Sequence, residues 1–558
     1  MKEIDKILVS IFQRSFKAIT DEMSISLTKT TRSPILCEAK DFVTGLYDAK
    51  GQMLEQTENL PILSFSLGPV CKVIMDFYGD EIYPGDVIIH NDVFSMGNQN
   101  NDVAIFKPIF FQNSLIGWAA AKGHQADIGG AVQGGYNPNA TEVWEEALRI
   151  PAVKIFEKGN LRKDVWNLIF ANIRLQMVQE DIMAQIGACT LGERRLQALV
   201  EKYGTETFES HKTELFNSTE QMMKMEIIRI PKGIYFGDSR VFYDGKHPGT
   251  VFNIRTKITV EDESISFDFS DSSPQTNGFV NGTFTSTCSA ITLTFLQMVN
   301  PNIPHNEGMI KPLKYIVPEG TILNAAYPKA TTFGNHLCPQ IADSIFKALS
   351  SAIPERVIAE WNHLLCSLYT GNHPQTGKKY VDICFMGLKG GSGALEGDDG
   401  YDHIGMIDAS GGVLDQDYEM YERQTPHLIL KHEYLTDSAG AGKWRGGLGV
   451  ETVIEIGADN TKMVVFGDGD VEPAYSLMGG TSGVLNSITL KLPDGNVMTP
   501  MSKDLIDNIP KGTVYRQIAG GGGGYGNPKN RESEKVVEDV RNELVSVEKA
   551  KEVYGLST

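Results

Sequence analysis

From residue 3 to 24 apolar side chains recur three and four positions apart, with Ile4, Ile7, Leu8, Ile11, Phe12, Phe16 and Ile19 on one stripe. The spacing predicts an N-terminal helix packed on a first domain, the stripe being core. The period then shortens. Phe42-Val43-Thr44-Gly45-Leu46-Tyr47 reads as a strand, with Asp48-Ala49-Lys50-Gly51 as its hairpin turn. Val87-Ile88-Ile89, fed by the turn Pro84-Gly85-Asp86, and Val103-Ala104-Ile105-Phe106 read as buried strands. Each touches a polar cluster that a strand core would not tolerate unpaired, so the clusters belong at strand ends. The first is Asp92, Asn98, Gln99, Asn100, Asn101 and Asp102; the second is His124, Gln125 and Asp127 ahead of Gly129-Gly130. Asp41, directly before the first strand, reads equally as a turn cap or as a site residue.

Residues 136–151 read as an acid-rich loop with Glu145 and Glu146 in solvent. Residues 164–203 are strongly helical, and Asp181 and Gln185, one turn apart, read as helix surface. From about Ile227 to Asp271 short alternating segments predict an antiparallel sheet. A polar glycine-bearing loop, SSPQTNGFVNGT, leads into a buried helix at SAITLTFLQMVN; PHNEG and VPEGTILNAAYP read as turn and strand. A further helix covers QIADSIFKALSSAIPERV, with Asn335-His336 ahead of it, placed to cap backbone donors. Between Gly387 and Pro528 lie GLKGGSGALEGDDGYD, SAGAGKWRGGLGVE, FGDGDVEPAYSLMGG and AGGGGGYGNP. Such clusters allow positive backbone angles or a close approach of backbone to ligand, and their amides suit an anion. No GxxxxGK[ST] spacing and no strand-GxGxxG-helix unit followed by an acid occurs, so they read as structural turns. The last thirty residues predict one charged amphipathic helix docked on the body or on a partner.

The pattern as a whole predicts an α+β fold with several sheets and helical N- and C-terminal segments. Its divisions are 1–225, an α+β domain carrying the site; 226–386, a β-rich and helical middle domain; 387–530, a glycine-rich β domain; and a helical tail, 531–558. At 558 residues the chain exceeds one core. A net charge of −19 with no basic block repels phosphate backbones and anionic lipid, leaving small molecules and proteins as partners. The N-terminus lacks the long apolar core of a secretory signal, and no run of about eighteen apolar residues suggests a membrane span. Seven scattered cysteines without a CxxC pair fit reduced thiols in the cytoplasm, give no zinc-finger spacing and single out no nucleophile.

GDVIIHNDVFSMGNQNNDVAIFKPIF, GHQADIGG, DFSDSSPQTNG, VPEGTILNA, DSAGAGKWRGGLG and GGGGGYGNP, in this order, resemble the hydantoinase B/oxoprolinase family over nearly the whole chain, tail included. The resemblance implies a large multi-sheet hydantoinase B-like fold and a division of labour in a hetero-oligomer. An ATP-binding partner of the hydantoinase A type phosphorylates the carbonyl or enolate oxygen of a small substrate, and the B-type chain completes the reaction. Family members carry an NDP-aromatic stretch ending in THxPD and, further on, GHHAD. A histidine and an aspartate of the first and the first histidine of the second hold a divalent metal.

The matching positions here are Gln99, Asp102 and His124, and Asp41 matches an acid near the same site. The resemblance therefore implies His124, Asp102 and Asp41 as catalytic residues, and the same three as ligands of Zn, Mn or Mg, with Gln99 in place of a family histidine. A neutral amide is a weak ligand beside an imidazole, so any metal is held loosely or the site works without one. Gln125 replaces a second histidine and reduces proton-transfer capacity. His124 would move protons or stabilise an enolate, Asp102 would orient it, and Asp127 would shape the loop. Three functions follow. The first is a subunit of an ATP-dependent ketone carboxylase of the acetophenone carboxylase kind, in which an enol phosphate releases an enolate that attacks carbon dioxide, with water excluded and no metal required. The second is an ATP-dependent hydrolase subunit of the hydantoinase or 5-oxoprolinase kind, in which a base or metal delivers water to a cyclic amide. The third is a non-catalytic scaffold subunit. GNQNND looks more like the acetophenone carboxylase branch, which places carboxylation first.

Overall fold

In the computed structural model, which describes residues 4–57 and 59–556, the N-terminal stripe becomes the helix Lys6–Thr30. Residue 3 of the predicted helix and residues 557–558 of the tail lie outside the described residues. Asp5 caps this helix by accepting from the amides of Ile7 and Leu8. Its buried face, Phe12, Phe16, Ile19, Met23 and Leu27, continues past the predicted end because the apolar spacing does. The helix packs on Gln176–Tyr203, where Gly192 lets Met23 come close: a Cβ there would lie 2.5 Å from the Met23 sulfur.

These helices lie against a seven-stranded antiparallel sheet. Its order is Met53–Gln56, Phe42–Asp48, Ser114–His124, Asp102–Phe111, Val87–His90, Val153–Glu157 and Asn160–Leu161. The three predicted strands are all present. The sheet's central strands are buried on both faces, which explains why they read as continuous apolar runs. Pro61–Glu81 is long and apolar enough to cross a membrane by length and composition. Here it forms a 3-10 turn, Pro61–Ser66, and a helix, Leu67–Tyr78, whose Leu67, Val70, Cys71 and Ile74 are buried in the core.

The predicted antiparallel sheet comprises Gly233–Phe242, Val251–Val260 and Ile265–Asp268, and a fourth strand, Leu313–Ile316, joins it in parallel. The buried helix Phe284–Leu296 lies in the long connection that a parallel neighbour requires. VPEGTILNAAYP forms no ladder strand, only isolated bridges at Thr321 and Asn324. Helix Cys338–Leu349 crosses this sheet at Gly237, where a Cβ would fall 1.9 Å from the Ser344 carbonyl oxygen.

Two further antiparallel sheets complete the fold. One has four strands, Lys379–Ile383, Leu365–Asn372, Thr461–Gly467 and Leu505–Ile509; the other has five, Leu428–Tyr434, Val450–Glu455, Val514–Ala519, Ser487–Lys491 and Val497–Met498. Tyr369, Met463, Ile488 and Tyr515 form a core of their own between them. The glycine clusters make turns at 396–397 and 478–479, as expected, but that is the smaller part of what they do. They stack backbone on backbone: Gly447 N–H donates to the Ser392 carbonyl at 2.8 Å, Gly522 N–H to Gly447 at 3.0 Å, and Gly391 N–H to Gly520 at 3.1 Å. Only residues without a Cβ allow that approach. The tail is two short helices, Ser533–Arg541 and Val547–Glu552, parted at Glu543, whose φ is 60°. Val536, Val545, Ala550 and Tyr554 dock it on Ala441 of the same chain.

Candidate active site

The register of the large sheet builds the site. Asp102 opens one strand and His124 ends its neighbour, directly opposite it in the antiparallel ladder. On the other side of His124 the strand Phe42–Asp48 pairs with the same neighbour, and His124 N–H donates to the Asp41 carbonyl at 3.0 Å. Asp41, Asp102 and His124, scattered in sequence, thus meet at one end of three adjacent strands.

Asp102 Oδ1 lies 3.0 Å from His124 Nδ1, and its Oδ2 accepts from Asn335 Nδ2 at 2.8 Å. Asn101 Nδ2 lies 3.4 Å from His124 Nε2 and donates to the Gly134 carbonyl at 2.8 Å. Gln99 turns its amide N–H groups toward the Tyr136 hydroxyl and the Thr332 carbonyl. Tyr136 stacks on Phe466 with centroids 4.2 Å apart and meets His336 Nε2 at 2.9 Å. Asp41, Gln99, His124, Tyr136, Asn335, His336 and Asp408 face a cavity of about 30 Å³, the room of a single water molecule. Asp41 Oδ1, Asp408 Oδ1, Asn335 Oδ1 and His336 Nδ1 are buried there without a hydrogen-bond partner.

Burial sets the electrostatics. It pushes the Asp41 carboxyl up to about 7, with the His124 charge opposing and the Asp102 charge adding. It does the same to Asp408, with Asp41 adding. Burial pulls His124 down, but the Asp102 hydrogen bond and the charges of Asp41 and Asp102 outweigh it and leave the imidazole raised. His336 drops to about 3 through burial and the nearby His124 and Lys503, and stays neutral. Two residues before His124, on the same face of the strand, the fully buried Lys122 contacts Ser66 Oγ and donates to Asn98 Oδ1 at 2.7 Å. Burial lowers its pKa to about 8, against the pull of Asp102.

Because Asp41 ionises near 3.8 when unfolded and near 7 when folded, the native state is penalised as pH rises through that window. Asp41→Asn is expected to stabilise the protein more at pH 8 than at pH 5, by about 3 kcal/mol, the part of the shift that lies between pH 5 and about 7. Urea unfolding at the two pH values measures it, and an equal gain at both would contradict the shift.

The predicted ligand set does not fit a tightly held divalent ion. Among the described residues the groups whose ligand atoms lie within 4.8 Å of one another are His403–Asp415–His432 and Asp343–Glu360–His363; Asp41–Asp102–His124 is not one of them. Both Asp102 oxygens and both His124 nitrogens already have neighbours, and Gln99 points N–H groups where an imidazole would offer a lone pair. Gln99→His is expected to raise Zn²⁺ or Mn²⁺ affinity at this site by more than about tenfold. Metal titration of the variant with and without Asp102→Asn measures the gain.

The remaining predicted polar residues support the site from behind. Asp127 accepts from the amides of Gly134 and Arg174 and shapes the loop as expected. Asp92 forms a two-pronged pair with Arg149. Asp181 and Gln185, read as helix surface, are buried, because that face of Gln176–Tyr203 packs against the N-terminal helix and the large sheet. Asp181 accepts from the Arg32 and Ser33 amides. Gln185 Nε2 donates to the Val103 and Ala121 carbonyls at 2.9 and 3.0 Å, and its Oε1 accepts from Gln125. Glu146, read as solvated, is fully buried and holds the amides of Thr331 and Thr332 at 2.8 and 2.9 Å. Asn335 and His336 cap nothing and line the small cavity instead. A polar pair inside the apolar run FGNHLC was the visible signal; Asp408 gave none.

Comparison with known proteins places the whole chain among relatives of one family. The hydantoinase B/oxoprolinase family model matches residues 5–528. The beta subunit of caprolactamase from Pseudomonas jessenii is 33% identical over 100% of this chain and 97% of its own length. The crystal structure of ATP-dependent caprolactamase from that organism superposes with a TM-score of 0.94 at 32% identity, covering 100% of this chain and 97% of that one. The B component of the putative D-/L-hydantoinase of Pseudomonas sp. (strain NS671) is 29% identical over 100% of this chain and 96% of its own. Nucleotide-free acetone carboxylase shares the fold, with a TM-score of 0.89 at 21% identity, covering 99% of this chain and 80% of that one.

Proposed function

The chain belongs to the hydantoinase B/oxoprolinase family, and from that premise we propose that it is the ring-opening subunit of an ATP-dependent cyclic amide hydrolase. A hydantoinase A-type partner phosphorylates the amide oxygen; here water attacks the activated carbon, the ring C–N bond breaks as the amine leaves with a proton, and a second water hydrolyses the resulting acyl phosphate to the acid and inorganic phosphate. The observation that carries this reading is His124, backed by Asp102, on the wall of a cavity with room for one water molecule. Asp102 holds Nδ1–H, so that unprotonated His124 can take the water's proton through Nε2. Asp41 carries negative charge above about 7 and stabilises the imidazolium that results. Neutral His336 and the Tyr136 hydroxyl, held to each other, keep one proton free between them to donate to the departing phosphate.

A lactam does not fit in 30 Å³. Ile383 and Phe385, however, also line a neighbouring cavity of about 350 Å³, with Arg32, Lys378, Lys379 and Arg423 around it. Those cations suit a phosphorylated, anionic substrate in a chain whose overall charge would repel it.

This reverses the order in which the sequence ranked the two reactions. Two relatives, at 33% and 29% identity, are named for lactam and hydantoin hydrolysis, whereas the acetone carboxylase likeness, at 21%, speaks for the fold alone. Ketone carboxylation remains the second reading, favoured by Gln99 and Gln125 and by the lack of a converging ligand set at Asp41, Asp102 and His124. The purified chain with its ATP-binding partner decides between them. ATP-dependent opening of a lactam, a hydantoin or 5-oxoproline is expected; ADP formation that instead requires a ketone together with bicarbonate would replace the first reading by the second.

A further inference from the structure

Behind the wall of the small cavity, three buried side chains point at one another. Asp343 sits in the helix Cys338–Leu349; Glu360 and His363 sit in the segment that precedes the strand Leu365–Asn372. Asp343 Oδ2 lies 2.8 Å from His363 Nε2, and Glu360 Oε1 contacts the same nitrogen. One ring nitrogen carries at most one proton, which cannot satisfy two carboxylates equally. Among the described residues no lysine or arginine pairs with Asp343 or Glu360; the nearby Lys503 is taken by Asp468 at 3.5 Å. Two buried carboxylates therefore share a single imidazole, an arrangement that costs heavily unless another positive charge enters it.

We propose that Asp343, Glu360 and His363 bind a divalent transition metal, Zn²⁺ or Mn²⁺, at a structural site separate from the catalytic pair. The three ligand atoms lie within 4.8 Å of one another, and an ion held by bonds of about 2.0–2.2 Å needs them roughly 3.0–3.5 Å apart, so small side-chain shifts suffice. Neutral imidazole, two carboxylates and a dication sum to zero charge, and one water completes a tetrahedron. The other carboxylate oxygen of Glu360 accepts from the Tyr475 amide at 2.6 Å, which fixes its orientation. Without the ion, burial and the Glu360 charge hold the Asp343 pKa well above the carboxylate range, so a retained proton is the competitor for the same place.

The position gives the site its role. Asp343 lies seven residues beyond His336, and His363 immediately precedes Leu364; both His336 and Leu364 line the catalytic cavity. The ion would tie together two walls that the fold otherwise joins by packing. The second cluster, His403–Asp415–His432, is weaker, because Lys389 already neutralises Asp415.

Metal analysis of the full-length protein, loaded with Zn²⁺ or Mn²⁺ and gel-filtered, is expected to give about one equivalent. That equivalent should survive His124→Ala and His432→Ala and be lost in Asp343→Asn and Glu360→Gln, with circular dichroism confirming the fold of each variant. Should either isosteric variant misfold, anomalous diffraction from the metal-loaded wild-type protein decides, with a peak expected between the three side chains. An empty wild-type protein, an equivalent retained in the folded isosteric variants, or an anomalous peak only elsewhere would each overturn the proposal.

Discussion

His124→Ala is expected to lower turnover of the complete enzyme by about 10²–10⁴-fold, the range typical of a lost general base. The side chain is the one imidazole at the cavity backed by a carboxylate, its Nδ1 fixed 3.0 Å from Asp102, while His336, equally buried, is neutral and bonded to Tyr136. Asp102→Asn should follow in the same direction with a smaller loss, since an amide can still contact Nδ1 but cannot stabilise the imidazolium. Neither change should move ATP binding by the partner, so nucleotide affinity and ring opening must separate. Measuring kcat with lactam and ADP release side by side tests this; ring opening by His124→Ala within tenfold of wild type would remove His124 from the chemistry and revive the scaffold reading.

Gly522→Ala should abolish soluble folded protein. A Cβ at that position would lie 1.9 Å from the carbonyl oxygen of Ser392 and 2.2 Å from its carbon. Both partners are backbone, held by hydrogen bonds from Gly447, Gly440 and Gly522, so no side-chain rotation relieves the clash. Overpacking that displaces backbone costs about 3 kcal/mol or more, a large share of the roughly 5–15 kcal/mol by which domains are stable. Gly187→Ala is the matched control. That glycine lies on the exposed face of the helix Gln176–Tyr203 with nothing within 4 Å of a new Cβ, and the substitution should stabilise by up to about 1 kcal/mol. Solubility and urea midpoints of the two variants, side by side, check the contrast; a soluble, stable Gly522→Ala would mean the glycine clusters yield more easily than their contacts imply.

What could be seen in the chain beforehand was local. The helix near Phe12, the strands at Phe42, Val87 and Val103, and the placing of polar clusters at strand ends all follow from spacing along a few residues. The meeting of Asp41, Asp102 and His124 followed from those strands together with the family resemblance. What stayed hidden depends on partners far away in sequence. Glu146 looked solvated because the amides it holds belong to Thr331 and Thr332. Asp181 and Gln185 looked like helix surface because the backbone groups they satisfy lie 60 or more residues away. The parallel strand at Leu313 was missed because pairing direction leaves no mark in a four-residue segment. The stacking of the glycine clusters stayed hidden behind their turns because nothing local distinguishes a bend from one backbone lying on another.

The ladder register that sets Asp102 against His124 also separates what is fixed in this architecture from what can drift. Slipping either strand by one residue would send one partner to the opposite face, so the acid and the imidazole are inherited together with the sheet. Position 99 lies outside the ladder, in the loop before it, supported by Tyr136 and the Thr332 carbonyl. An exchange of glutamine for histidine there would leave the pairing untouched, so a single codon change can alter the ligand strength at this position while the carboxylate–imidazole couple stays in place.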